Sequence, residues 1–139
     1  MGLKITLRPH EQMIVGGAVV KNGNKNSHFV IENKVPVLRE KDIMSEPEAN
    51  SPCRRIYFVI QLMYIDEKNL GEHHQLYWKL TRDVLISVPS MFPMIIQISE
   101  HISSNRYYQA LRVTRKLIEY EQEVLNYVRN AGRGLPKSA

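Results

Sequence analysis

The chain has 139 residues, of which 43% are hydrophobic and 24% charged, values typical of a folded domain and not of long disorder. Its one cysteine, Cys53, excludes an internal disulfide framework and any zinc site that needs several thiolates, which fits a reducing cytoplasm. We expect no membrane association, because no secretory signal pattern is present and the longest apolar run, 56–65, is about half a membrane span.

The net charge of +5 is unevenly distributed. Residues 1–39 carry six basic and two acidic side chains, residues 40–50 carry one basic and four acidic, and residues 51–139 carry twelve basic and eight acidic. An acidic joint therefore separates two positive regions. This distribution favours an anionic partner such as nucleic acid, although charge alone does not establish one.

The first residues have the pattern of short β-strands. Leu3, Ile5 and Leu7 alternate with polar residues, which places apolar side chains on one face of a strand. Further apolar runs lie on either side of Gly16-Gly17, a pair suited to the positive φ angles of a two-residue hairpin turn. The sequence therefore predicts a first strand followed by a hairpin.

Two more strands are expected before residue 40. The run 27–32 follows a turn signal, and the short run 35–38 contains Pro36, which lacks an N–H for a sheet ladder. The last strand should therefore lie at a sheet edge or start late. With the strands in meander order, residues 1–44 are predicted to form a small antiparallel β-meander or partial barrel.

The pattern then becomes helical. Ser45 and Glu48 have the spacing of a capping box, and Ser51-Pro52 combines an N-cap residue with proline at the first helical position. We expect a helix from this point to about residue 66. Because residues 56–65 are apolar nearly all round, the helix should lie at the centre of the fold.

Three further segments, 68–88, 91–103 and 105–130, have helical periodicity. The sequence thus predicts an α+β protein in which the β module, 1–44, precedes a four-helix module, 45–139, with a frayed basic tail from about residue 131. The side chains expected to face inward are Leu70, Tyr77, Leu80, Val84 and Val88, then Phe92, Ile95, Ile96 and Ile102, then Tyr107, Ala110, Leu111, Leu117, Ile118, Val124, Leu125 and Val128.

No arrangement of residues indicates catalysis. Cys53 follows a predicted helix start beside Arg54 and Arg55, where the dipole and the cations would lower a thiol pKa, but a small residue at a helix start is the favoured interpretation. His73 and His74 point about 100° apart on a helix and cannot chelate one ion together. With no phosphate-binding glycine motif either, we expect no enzyme, metal or cofactor.

Aromatic and basic residues leave two interpretations open. Five tyrosines among apolar neighbours favour core packing over base stacking, namely Tyr57, Tyr64, Tyr77, Tyr107 and Tyr120. Six cations on the β module are suited either to phosphate binding or to a solvated face with edge-protecting lysines. They are Lys4, Arg8, Lys21, Lys25, Lys34 and Arg39.

Three runs, IENKVPVLREKDI (31–43), RIYFVIQLMY (55–64) and RYYQAL (106–111), resemble the FlbT family of flagellum biosynthesis repressors. Their order and spacing and the overall length also agree. The resemblance implies a non-enzymatic, cytoplasmic regulator that acts on the 5′ untranslated region of flagellin messenger RNA and limits its translation or lifetime. The sign of regulation and the RNA element stay open.

Residues 5–16 and 37–40 are also similar to the carbon storage regulator family, small β-proteins that grip RNA hairpins. That resemblance implies Arg39 as the first RNA contact, with Thr6 and Arg8 behind it. The chain departs from that family at Leu7, His10 and Leu38.

Two hypotheses follow. In the first, the chain binds the flagellin mRNA leader through the sheet, and the helices form a platform for oligomers or a protein partner. Its RNA-contact candidates are Arg39, Arg8, Thr6, Lys4, Lys34, Lys21 and Lys25, and its partner-surface candidates are Arg112, Arg115 and Lys116. In the second, an aromatic and methionine-rich part of the helices, 56–92, holds flagellin or another flagellar assembly protein, and any effect on mRNA is indirect.

Overall fold

Strands precede helices in residues 2–132, the part of the chain that the computed structural model describes. The strands are β1 (Leu3–Leu7), β2 (Gln12–Val15), β3 (Ala18–Lys21), β4 (Ser27–Ile31) and β5 (Val37–Arg39). The α-helices are α1 (Pro52–Ile65), α2 (Leu70–Ser87), α3 (Phe92–Ser103) and α4 (Tyr107–Gly132). The predicted α+β class is confirmed. Most of the predicted basic tail, 133–139, lies outside the described residues, and the module boundary at 44/45 stays a prediction.

The strand order differs from the predicted meander. β1 pairs antiparallel with β4 in one sheet, and β2 lies between β3 and β5 in another. One polar side chain accounts for this order, because the Asn22 amide donates to Leu7 O (3.2 Å), Arg8 O (2.8 Å) and Lys25 O (2.7 Å). These bonds bring the end of β1 beside the start of β4, so β1 pairs with β4 and not with β2.

The hairpin and the edge strand are confirmed. Gly16 and Gly17 connect β2 to β3 with φ angles of +57° and +88°, which glycine adopts without steric cost. β5 begins after Pro36 and pairs with β2 alone, so it forms a sheet edge. β2 therefore connects the hairpin to the strand that carries Arg39.

Two apolar clusters share the strand β2. Met13 packs between the sheets with Ile5 and Leu7, while its neighbour Ile14 joins Leu38 in a larger cluster built mainly from the helices. Alternation along β2 thus places successive side chains in different cores. α1 is buried on most sides between α2 and α4, which confirms its predicted central position.

The inward face of α3 was predicted partly wrongly. Phe92 is 52% exposed and Ile96 43% exposed, whereas Ile98, absent from the prediction, is fully buried. The buried stripe follows the i, i+3, i+7 positions Ile95, Ile98 and Ile102. Because α3 has apolar residues around most of its circumference, its sequence pattern does not specify which face packs on α4.

The inward face of α4 was predicted correctly for three turns and wrongly at its end. Leu125 and Val128 are exposed, because α4 runs past the start of α1. At that point the buried Glu121 carboxylate accepts from Ser51 Oγ (2.6 Å) and from the Cys53 N–H (3.0 Å). Ser51 in turn caps α1 by accepting from the Arg54 N–H, as predicted.

Within residues 2–132, no helix combines the length and the apolar character that crossing a bilayer requires.

Candidate nucleic-acid interface

The acidic joint is fixed against α1 by two side chains of that helix. The Tyr57 hydroxyl donates to Asp42 O at 2.6 Å. Gln61 exchanges two hydrogen bonds with the backbone of Met44, accepting from its N–H at 2.8 Å and donating to its carbonyl at 2.9 Å. Both side chains are buried, so the bonds are shielded from water and hold the joint in one position.

Arg115 connects the joint to α4. Its guanidinium donates to Asp42 Oδ1 (2.8 Å), Lys41 O (2.8 Å) and the Tyr57 hydroxyl (3.2 Å), and lies 5.4 Å from the centre of the Tyr57 ring. Burial raises the pKa of Tyr57, and the charge of Arg115 partly offsets this. Arg115 therefore serves mainly to hold three parts of the chain together.

At the other end of the joint, Arg39 bridges the two sheets. Its guanidinium donates to Thr6 O at 2.9 Å and lies 3.9 Å from Glu11 Oε2. Glu11 Oε1 accepts from the Arg8 N–H at 2.8 Å and lies 3.7 Å from Arg8 Nε. The Arg8 N–H, followed by the charges of Arg8 and Arg39, holds the pKa of Glu11 below its ordinary 4.5. Both arginines are thus partly neutralised by one carboxylate.

Two surface depressions adjoin these contacts and share Lys41 and Tyr108 in their linings; we call the two together the basic groove. The sheet-side part has a volume of about 840 Å³ and the helix-side part about 550 Å³. The sheet-side lining is Thr6, Arg8, Glu11, Arg39, Glu40, Lys41 and Tyr108. The helix-side lining is Lys41, Asp42, His101, Tyr108, Gln109, Arg112, Val113, Arg115, Lys116 and Glu119.

Cations outnumber carboxylates in the basic groove, at six to four. Among the ion pairs of residues 2–132, Arg8, Arg39 and Arg115 each lie within 4.0 Å of a carboxylate oxygen. Lys41, Arg112 and Lys116 are exposed and belong to none of these pairs. They are therefore the cations best placed to meet an anionic ligand.

The structure brings together residues that the sequence assigned to two different surfaces. Arg39, Arg8 and Thr6, proposed for RNA, line the sheet side, and Arg112, Arg115 and Lys116, proposed for a protein partner, line the helix side. Lys4 is exposed on β1 two residues from Thr6, outside the groove lining. Lys21, Lys25 and Lys34 are exposed elsewhere and do not line it.

Two of the groove residues that the sequence did not predict, Tyr108 and Lys41, have side chains suited to RNA contact. Tyr108 lines both parts and is only partly buried. The signal was the pair Tyr107-Tyr108, because neighbours on a helix point about 100° apart and only Tyr107 was assigned to the inward face. Lys41 was hidden by its context, since it is the single basic residue of the acidic joint.

The remaining sequence candidates lie away from the groove. Cys53 is fully buried, and burial followed by the charge of Glu121 raises the pKa of its thiol, which overturns the expected lowering. Its side chain packs in the large apolar cluster, as a small residue at a helix start should. Within the described residues, no three metal-ligating side chains lie close enough to hold one ion.

A family model of known proteins matches most of this chain. The family model described as "Flagellar protein FlbT" matches residues 3–125. The chain belongs to the FlbT family. The match includes every residue that lines the basic groove, from Thr6 to Glu119.

Several FlbT proteins are similar over most of their length. A "Probable flagellum biosynthesis repressor protein FlbT" of Caulobacter sp. (strain K31) is 42% identical over 130 residues, covering 92% of this chain and 99% of the relative. "Probable flagellum biosynthesis repressor protein FlbT 1" of Bradyrhizobium diazoefficiens is 40% identical over 125 residues, covering 89% and 85%. The "Flagellum biosynthesis repressor protein FlbT" of Caulobacter vibrioides is 39% identical over 130 residues, covering 92% of each. No solved structure matches this FlbT chain.

Proposed function

We propose that this chain represses flagellin synthesis after transcription, by binding the 5′ untranslated region of flagellin messenger RNA in the basic groove and limiting translation or stability. The observation that carries the proposal is that the depression lined by the sheet cations and the depression lined by those of α4 share Lys41 and Tyr108. Membership of a family whose relatives are named flagellum biosynthesis repressors supports the biological role.

The groove suits single-stranded RNA on physical grounds. Cations along a depression follow a phosphate backbone, and an aromatic ring among them gives an unpaired base a stacking surface. Lys41, Arg112 and Lys116 supply cations that belong to none of the ion pairs within residues 2–132, and Tyr108 supplies the ring. Arg8 and Arg39 share the Glu11 carboxylate, so they contribute less attraction than their number suggests. We therefore assign most of the phosphate contact to the first three residues.

The test compares two triple variants with the same loss of charge. Lys41→Ala, Arg112→Ala and Lys116→Ala together remove three cations from the groove, while Lys21→Ala, Lys25→Ala and Lys34→Ala remove three from the rest of the surface. Binding of a fluorescent flagellin leader RNA is measured by anisotropy at several salt concentrations. The groove variant should bind more than tenfold more weakly, and its slope of log affinity against log salt should fall by about 2.

The control triple variant should keep the slope close to that of the unchanged protein. If both triple variants lose affinity equally, the attraction comes from net charge and the groove assignment fails. If neither variant nor the unchanged protein binds the leader RNA, the RNA-binding function itself is wrong.

Stacking is tested separately at Tyr108. Tyr108→Ala should weaken RNA binding by about 1–3 kcal/mol, because the base loses its stacking surface, while Tyr108→Phe keeps the ring and should bind nearly as well as the unchanged protein. Equal losses in both variants would show that the hydroxyl and not the ring matters, and would contradict the stacking role.

One observation favours the second function, a flagellin-binding interaction protein that affects mRNA indirectly. A surface depression of about 400 Å³ between α2 and α3, which we call the apolar groove, has exposed Trp78, Ile86, Phe92 and Ile96 along it. Amphipathic helices bind to grooves of this kind through apolar anchors. Co-purification with flagellin that survives nuclease and 1 M salt, and that Ile86→Glu abolishes, would support this function over RNA binding.

A further inference from the structure

The apolar groove is lined mainly by apolar side chains that are exposed to solvent. Its walls come from residues 78–86 of α2 and residues 92–99 of α3, and the polar side chains among its lining are Thr81, Arg82 and Ser99. Ile86 lines the groove and is 74% exposed. Contiguous apolar surface of this kind on a soluble domain usually marks an interaction site.

A second apolar surface lies at the end of α4. Val124 and Val128 follow the buried Leu117 by seven and eleven residues, so they continue the same helical face, and Leu125 adjoins them. Residues 126–131 are all exposed, and six consecutive residues sample every direction around a helix. The end of α4, residues 124–131, which we call the α4 end, therefore has an apolar stripe with almost nothing packed against it.

The groove and the α4 end lie at the same end of the helical module. The turn between α2 and α3 reaches α4, where Ser90 Oγ and the Tyr120 hydroxyl share a hydrogen bond of 2.6 Å, and Cys53 Sγ at the start of α1 lies 3.8 Å from Met91 Sδ. Phe92, the first residue of α3, lines the groove directly after this turn. A two-fold axis at this end of the molecule would place the α4 end of each copy near the apolar groove of the other.

The shapes of the two surfaces agree with such an exchange. The groove is concave and apolar, and the α4 end presents apolar anchors at i and i+4, the spacing with which a helix occupies a groove.

The apolar area that can be buried favours two contacts between the copies over a single contact. Covering the exposed parts of about seven large apolar side chains buries roughly 600 Å² of apolar surface, taking about half of each residue's area. A specific interface needs roughly 1,200 Å² or more in total, which a single contact does not reach and a reciprocal pair does. A closed two-fold arrangement supplies that pair.

We propose that the chain forms a two-fold symmetric dimer in which the α4 end of each copy lies in the apolar groove of the other. The proposal is independent of RNA binding, since it uses no residue of the basic groove. It also places any flagellin helix that binds the apolar groove in competition with the α4 end.

The first test is the mass of the full chain in solution, measured by sedimentation velocity between 1 and 100 µM. The chain mass is 16.2 kDa, and we expect a species of twice that mass. Ile86→Glu and Val128→Glu should each shift the protein towards the monomer at least tenfold in dissociation constant. Val19→Glu places the same charge on β3 at a residue that is 66% exposed, and should leave the dimer intact. A monomer at 100 µM, or a dimer insensitive to both groove and α4 variants, overturns the proposal.

The second test identifies which surfaces meet. Ile86→Cys and Val128→Cys are prepared as separate proteins, with Cys53 fully buried and out of reach. In the proposed dimer, neither protein forms a disulfide-linked dimer with itself, but an equal mixture of the two forms one on mild oxidation. Linking of Val128→Cys with itself would show that two α4 ends pair directly, and would overturn the exchange. Linking of Ile86→Cys with itself would show two grooves facing each other, with the same consequence.

Discussion

The basic groove and the apolar groove differ in how much the rest of the molecule uses their side chains. In the basic groove, Arg115 and Arg39 donate to backbone carbonyls and carboxylates of distant segments. In the apolar groove, Ile86 and Ile96 are largely exposed to solvent. Charged side chains that the sequence suggests are available for a ligand are thus bonded within the protein. Some apolar side chains that the sequence suggests are buried are exposed. Residue type alone does not separate structural from functional surface in this protein.

The largest expected effect compares two isoleucines of α3. Ile98→Ala removes a fully buried side chain and should lower the free energy of unfolding by about 2–4 kcal/mol, because it leaves a cavity in the core. Ile96→Ala, two residues away on the groove side, should cost less than about 1 kcal/mol. Urea denaturation of both variants, done below the concentration at which dimers form, gives the comparison. Equal losses would show that both faces of α3 are packed.

The next prediction compares Arg115 with Arg112, which also lines the basic groove. Arg115→Ala should destabilise the fold by about 2 kcal/mol, because it leaves the nearly buried Asp42 carboxylate without its partner. Arg112→Ala should change the free energy of unfolding by less than about 0.5 kcal/mol, since Arg112 is exposed and makes none of these bonds. If urea denaturation shows a larger loss for Arg112→Ala than for Arg115→Ala, the bonds of Arg115 do not stabilise the acidic joint.

A smaller effect concerns the carboxylate that neutralises the sheet-side cations. Glu11→Gln keeps an acceptor for the Arg8 N–H but removes the negative charge facing Arg8 and Arg39. RNA affinity should therefore rise by about three- to tenfold. Anisotropy titration at low salt measures the change. An unchanged affinity would confine RNA contact to the helix side of the groove.

The smallest effect is a dependence of stability on acid. The pKa of Glu11 lies below its ordinary 4.5 in the folded protein, first because of the Arg8 N–H and then because of the two arginines. Its ionised form is stabilised by folding, so this contribution is present above pH 4.5 and is lost as the pH falls through the lowered pKa. Glu11→Gln should accordingly show a slightly smaller fall in urea midpoint between pH 5 and pH 3 than the unchanged protein.

The sequence correctly predicted features of the fold that depend on residues close together in the chain. The Gly16-Gly17 hairpin and the Ser51 cap of α1 each rest on residues a few positions apart, and both were predicted. The pairing of β1 with β4 was not, because it depends on the side chain of Asn22 reaching carbonyls 14 and 15 residues upstream. A turn residue predicts a turn, and its further hydrogen bonds are not visible in the sequence.

The candidate site also contains parts that the sequence predicted and parts that it did not. Arg39, Arg8 and Thr6 were grouped by resemblance to a family, and they do lie together. Their junction with α4 was not predictable, because it needs Arg115 to meet Asp42 across 73 residues of chain. Periodicity identifies the exposed face of a helix, but it does not show which distant segment that face approaches.

The contact between Glu121 and the start of α1 has a consequence for how the protein is made. Ser51 and Glu121 are 70 residues apart, and the carboxylate also accepts the N–H of Cys53 inside the protein. Since a polypeptide emerges from the ribosome beginning at its N-terminus, the central helix is synthesised long before the residue that completes its first turn. During that interval the helix has both an unsatisfied N–H and an uncovered apolar surface. We therefore expect the helical module to close late, when Glu121, just past the middle of α4, reaches the start of α1.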